Sequence, residues 1–110
     1  MGGLSSKLRR ITDAYGSEGI AHWCPGCDGA HVIWHKRGTQ GGPVWTYDGN
    51  AEAPTCSPSV RLFDQNGTDC HYFLKAGKIE FCGDCRHNLK GQTVPLPDWP
   101  YADGAYGSVE

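Results

Sequence analysis

The 110-residue sequence lacks any long hydrophobic run. A bilayer helix needs about 20 consecutive apolar residues, so no such span is expected. The basic stretch from Met1 to Arg10 is not followed by the apolar segment of a secretory signal. Charge of one sign is missing too: 10 Lys and Arg stand against 12 Asp and Glu, a formal net charge of −2. Phosphate contacts dominate nucleic-acid affinity, and a dedicated binder shows a basic face. Here Lys7, Arg9 and Arg10 form a short basic cluster, while Arg61, Lys75, Lys78, Arg86 and Lys90 are scattered among acids. A nucleic-acid partner is therefore not expected, and an HNH-like nuclease built on His87-Asn88 fails on the same ground. No Gly-rich phosphate loop occurs, and no serine sits in a nucleophile-elbow pattern. Charged residues reach only 20%, which excludes a highly charged disordered chain.

What the chain does have is 16 glycines, seven prolines, six cysteines and five histidines. One domain of this size builds a small core and often needs a metal or disulfides as a staple. Without a secretory signal a reducing compartment is expected, where paired cysteines hold metal more often than they form disulfides. Two short patterns are discounted. Gly2 with Ser6 fits N-myristoylation, a eukaryotic modification, and Asn66-Gly67-Thr68 reads more simply as a turn than as a glycosylation acceptor.

Periodicity divides the chain into three parts: a helical arm over 1–18, a zinc-stapled β domain over 19–97 and an extended acidic and aromatic tail over 98–110. Leu4, Leu8, Ile11 and Tyr15 recur at helical spacing, Ser5 or Ser6 could cap them, and Gly16 could stop them. From Ile20 onward the period becomes two. Ile20–Trp23, Ala30–His35, Val44–Tyr47, Ser59–Phe63, Cys70–Lys75, Lys78–Phe81 and Thr93–Leu96 read as short strands. Ala76-Gly77 is a two-residue hairpin turn, and Asp48-Gly49-Asn50 and Gln65-Asn66-Gly67 are further turn signals. The expected fold class is mainly β, a small antiparallel domain with a zinc knuckle and a short N-terminal helix. Pro95, Pro97 and Pro100 should keep the following stretch extended.

Cys24-Pro25-Gly26-Cys27 carries the strongest chemical signal. Two thiolates separated by a tight Pro-Gly turn can bind one zinc ion between two strands. A thioredoxin-type redox motif would precede a helix, whereas here a strand follows. A tetrahedral site needs two more ligands. Spacing nominates the second pair, Cys82 and Cys85, and the rivals are Cys70, His71, His87 and His31. Cys70 and His71 point to opposite faces of a strand, so only one of them can face the first knuckle. Cys56 reads as a small buried hydrophobe. The prolines around it hold the segment extended, so Thr55, Ser57 and Ser59 are expected to satisfy local backbone rather than perform chemistry.

Cys24-Pro25-Gly26-Cys27, His31, the segment from Pro54 to Ser59, Cys70-His71, Asp84-Cys85-Arg86-His87 and Gly91 through Pro97 occur in that order. Together they resemble an uncharacterised family of small phage and prophage proteins that often carries the automatic label ammonia monooxygenase. The resemblance implies a zinc-type site using the CPGC pair, the Cys-His dipeptide and the Asp-x-x-His motif. Relatives commonly have an aromatic or aliphatic residue at the positions of Cys56 and Cys82, which selects against Cys82 as a required ligand. The expected ligands of Zn2+ are therefore Cys24, Cys27, Cys70 and His87, with Cys85, His71, Cys82 and His31 as substitutes. The same resemblance places the protein in a bacterial host cytoplasm or a virion.

His71 and Asp84 are the candidate catalytic groups, Asp84 orienting a histidine or supporting an open metal position. With His31 they could also imitate an iron-binding facial triad. Thiolate-rich ligation favours a structural metal, so the main expectation is a zinc-binding structural or protein-interaction module. Its partners would be phage structural proteins or a second copy, with no membrane involved. The alternative is a small metal-dependent hydrolase acting on peptide or amide bonds.

Overall fold

The computed structural model describes residues 2–64 and 67–101. The turn expected at Gln65-Asn66-Gly67 and the tail residues 102–110 lie, in part or whole, outside the described residues. The described strands form two antiparallel sheets. The first contains β1 (Gly2–Gly3), β2 (Arg9–Thr12), β3 (Glu18–Cys24) and β4 (Gly29–Lys36), in that order. The second contains β5 (Thr46–Tyr47), β6 (Cys56–Asp64), β7 (Gly67–Lys75), β8 (Lys78–Phe81) and β9 (Thr93–Pro95). Each strand pairs with its chain neighbour, the arrangement that short Gly, Asn and Asp turns permit. At Ala76-Gly77 both residues have positive φ, 48° and 77°, as a primed two-residue hairpin turn requires.

The short N-terminal helix is not present; residues 9–12 instead form β2, paired with β3 from Arg9 opposite Ala21 to Thr12 opposite Glu18. Turn chemistry and cross-strand pairing override the helical spacing. Asp13 Oδ1 accepts from the N–H of Tyr15 (2.8 Å) and Ser17 (2.9 Å), and Gly16 takes φ 88°, closing a hairpin where the spacing suggested a helix end. Ser5 Oγ accepts from the N–H of Lys7 and Leu8 in a local turn rather than capping a helix. The stripe therefore splits: Leu8 is fully buried, whereas Leu4 and Tyr15 are exposed. Three turns of marginal helix are weaker than a ladder that buries Leu8.

Strand alternation builds the core. Cys70, Tyr72 and Leu74 of β7 and Ile79 and Phe81 of β8 point inward, where they cluster with Leu8, just before β2, and with Ile20, Cys24 and Ile33 of the first sheet. The two sheets thus pack face to face. On the far face of the first sheet Trp99 covers Ala21 and meets Trp23 edge-on at 6.0 Å, and its backbone N–H donates to the Ser6 carbonyl. His71 and Phe73, alternating with the core residues, face outward on the second sheet.

The inner faces meet at a polar contact. The Tyr72 hydroxyl lies 2.6 Å from His22 Nε2 and 3.2 Å from His31 Nδ1, and all three side chains are buried. Burial and the nearby His31 push His22 down to about 4, so its ring is neutral at pH 7. Tyr72→Phe leaves these ring nitrogens unsatisfied and should cost about 1–3 kcal/mol. The expected readout is a lower urea midpoint with an unchanged slope; an unchanged midpoint would show that the contact contributes nothing.

Candidate functional site

Four of the predicted ligands converge where the sheets meet. Cys24 ends β3, Cys27 follows in the β3–β4 turn, Cys70 points inward from β7, and His87 comes from the loop after β8. Their donor atoms all lie within 4.8 Å of one another, and Cys70 Sγ is 3.5 Å from His87 Nε2. The Cys27 N–H donates to Cys24 Sγ at 3.4 Å, as in a thiolate-bearing knuckle. Gly26 has a steric reason: a Cβ there would run into the His87 ring. The cluster could hold a metal ion. An open hollow of about 390 Å³, lined by Cys27, Asp69, Arg86 and His87, leads to it, with Arg86 and Asp69 paired at 2.7 Å on its rim.

The electrostatics fit a cation. Hydrogen bonds from Cys70 and His31 outweigh burial and hold the Cys24 thiol down to about 3. Cys70 is pushed far upward by that same contact and by burial, and burial with the Cys24 charge pushes Cys27 up to about 11. Three crowded sulfurs thus ionise together only when a positive charge sits among them. The donor set, three sulfurs and one imidazole with four protein ligands, suits a closed tetrahedral zinc site.

The substitute ligands are elsewhere. His31 Nδ1 lies 3.2 Å from the Tyr72 hydroxyl, and the residue stands outside the donor set. Cys85 brackets the His71 backbone, its Sγ accepting the His71 N–H at 3.1 Å and donating to the His71 carbonyl at 3.0 Å. Cys82 lies on the outer face, its N–H donating to that carbonyl at 2.8 Å. Cys56 is buried in the core, its thiol pushed up to about 12 by burial.

Outside the metal cluster His71 occupies a different arrangement. Its Nδ1 lies 3.1 Å from Asp84 Oδ1 and 3.3 Å from Oδ2, and its Nε2 lies 3.0 Å from Ser59 Oγ. With Nδ1–H donated to the carboxylate, Nε2 is the acceptor for the serine hydroxyl. This is the relation of nucleophile, base and orienting acid in a Ser-His-Asp triad. The site is open: the His71 and Asp84 side chains are 24% and 50% exposed, and Phe73 stacks beside His71 with ring centroids 6.4 Å apart.

Ser59 reaches His71 because β6 bulges. Cys56 pairs with Leu74 and Val60 with Tyr72, so four steps along β6 oppose two along β7, and Ser59 lies in the excess. The Ser57–Pro58 peptide within the bulge is cis. Trp45 Nε1 donates to the Ser59 carbonyl at 3.1 Å and anchors the backbone. Asp84 is placed by the loop that the backbone N–H of Cys82 and the thiol of Cys85 clip to the His71 backbone.

Residues 4–82, more than half of the chain, match the family model described as the bacterial ubiquitination-like system serine protease BubE. The chain belongs to the BubE family. Ser59 and His71 fall inside the BubE match, and Asp84, Cys85 and His87 lie just beyond its end. The BubE description contains neither a phage link nor an oxygenase. No curated protein and no solved structure matches the chain.

Of the candidate catalytic residues, the structure joins His71 and Asp84 to a third that the sequence reading passed over. Thr55 serves backbone, though not local backbone, its Oγ1 accepting the N–H of Ala76 in the β7–β8 turn at 2.9 Å, whereas Ser59 Oγ faces His71. The available signal was Pro58: a proline within a strand pattern marks an edge or a bulge, and bulges re-aim side chains.

Proposed function

We propose that the protein is a serine hydrolase that cleaves peptide or related acyl bonds of protein substrates. Ser59 is the nucleophile, His71 the general base and Asp84 the group that orients it. The observation that carries this reading is the 3.0 Å approach of Ser59 Oγ to His71 Nε2, with Asp84 on the other ring nitrogen. The BubE description, a serine protease of a ubiquitination-like system, supports the same reading. An exposed triad on an open sheet face suits an extended segment of polypeptide better than an enclosed small molecule.

The steps follow from the geometry. Ser59 attacks the acyl carbon while Nε2 takes its proton, and Asp84 stabilises the resulting imidazolium. The imidazolium then protonates the leaving group, giving an acyl-serine. Water, deprotonated by the same nitrogen, hydrolyses that ester and restores Ser59. The Cys24, Cys27, Cys70 and His87 cluster would hold Zn2+ as a structural staple. Four protein donors leave no open position for catalytic water, so hydrolysis belongs to Ser59 rather than to the metal. Bound there, Zn2+ would supply charge compensation for the thiolates and a cross-link between the sheets.

A fluorophosphonate probe tests the assignment, since it esterifies an activated serine. Intact mass should rise by one adduct, and peptide mapping should place it on Ser59. Asp84→Asn should slow labelling by about 10²–10⁴-fold, because the amide favours the wrong tautomer of His71. Absence of labelling, or labelling of another residue, would remove the triad reading.

A further inference from the structure

Cys82 has no part in the steps above, yet its position is specific. Its sulfur, a ring nitrogen of His71 and a carboxylate oxygen of Asp84 all lie within 4.8 Å of one another. Each comes from a fixed backbone: His71 from β7, Cys82 from the end of β8 through its 2.8 Å hydrogen bond to the His71 carbonyl, and Asp84 from the clipped loop. Cys82 and His71 are partly exposed and Asp84 is exposed, so the trio is accessible to ions and leaves a solvent side free for water. Imidazole, thiolate and carboxylate are the donors that zinc and related borderline divalent ions prefer. Around a tetrahedral zinc with bonds of about 2.0–2.3 Å the donors sit roughly 3.3–3.8 Å apart, so side-chain shifts of about 1 Å suffice.

We propose that His71, Cys82 and Asp84 form a second, regulatory divalent-metal site, distinct from the four-residue cluster, through which free Zn2+ switches the triad off. The inhibitory consequence rests on the Ser59 reading; binding itself does not. The ring nitrogen facing Asp84 is Nδ1, whose N–H normally donates to the carboxylate. A neutral imidazole carries one proton, so coordination at Nδ1 puts that proton on Nε2. Nε2–H then points at Ser59 Oγ as a donor and cannot accept its proton. The Cys82 thiol proton leaves to solvent as the sulfur coordinates. Asp84, now a ligand, no longer orients the base. Cys82 is the residue that separates regulation from catalysis, because it binds the ion and takes no part in acyl transfer.

The test uses the whole protein carrying its first metal ion. Zinc chloride is titrated against the rate of fluorophosphonate labelling, while native mass spectrometry counts bound zinc. Co2+ is then added as the second equivalent, and its thiolate-to-cobalt absorption is read. The wild-type protein should take up a second ion, show the thiolate band and lose labelling. Cys82→Ala should label at the wild-type rate without added zinc, need at least tenfold more zinc for the same inhibition, and lose the second-equivalent band. Unchanged zinc sensitivity in Cys82→Ala, or a second equivalent without a thiolate band, would overturn the site. Failure of the triad reading looks different: labelling is then absent without zinc, which sinks the inhibitory role, while the mass count and the cobalt band still decide whether the site exists.

Discussion

Replacing Ser59 by alanine should lower turnover of a susceptible acyl substrate by about 10⁴–10⁶-fold, with the melting temperature nearly unchanged. The magnitude follows from the order of events. Without the hydroxyl no acyl-serine forms, and the remaining acceleration comes from binding and from whatever polarises the carbonyl. His71→Ala should cost about as much, because the two residues act as a unit, and the double variant should fall little below either single one. Stability is the discriminating control. Ser59 Oγ is bonded to a partly exposed ring on an open face, so its removal leaves no buried group unpaired. If Ser59→Ala keeps more than about a tenth of the wild-type rate, the nucleophile is another group.

Stripping the metal should have the second large effect, on the fold itself. Structural zinc contributes about 10–16 kcal/mol of apparent binding energy at pH 7, comparable to the whole stability of an ordinary domain at about 5–15 kcal/mol. The cluster joins the β3–β4 turn of one sheet to β7 and the loop after β8 of the other, so losing it unties both. A strong chelator should therefore abolish the cooperative melting transition, and stoichiometric Zn2+ should restore it. Ser59 labelling should vanish in parallel, because Cys70 immediately precedes His71 and His87 closes the loop that carries Asp84. Acid should ease metal release, since the ligating thiols must be deprotonated to bind. A stripped protein that melts like the loaded one would show that the metal is not a staple.

The strands were legible because period-two burial and turn chemistry are local. Lys78–Phe81 was read with its observed bounds, and the Ala76-Gly77 turn with the expected left-handed backbone. The N-terminal helix was misread because four apolar residues fit helical spacing while Asp13 and Gly16 carried a competing hairpin signal. Strand alternation also separated Cys70 from His71. That one rule sends the first into the Cys/His cluster and the second to the open face, where the structure has them.

Ser59 was not legible, for a geometric reason. Its distance from His71 is set by a two-residue excess in β6, and sequence patterning does not reveal which strand residues a bulge turns toward which neighbour. The same holds for Asp84, whose carboxylate reaches His71 because the Cys82 main chain and the Cys85 thiol clip its loop to the neighbouring strand. The sequence alone determined the β class, the turns at Asp48-Gly49-Asn50 and Ala76-Gly77, the CPGC knuckle and the opposite orientations of Cys70 and His71, since each depends on residues within a few positions of one another. Only the tertiary structure decided which donors meet and which serine faces the histidine. Those contacts join residues 12 to 63 positions apart, and it is the packing of two sheets and the register of one bulged pair that bring them within bonding distance.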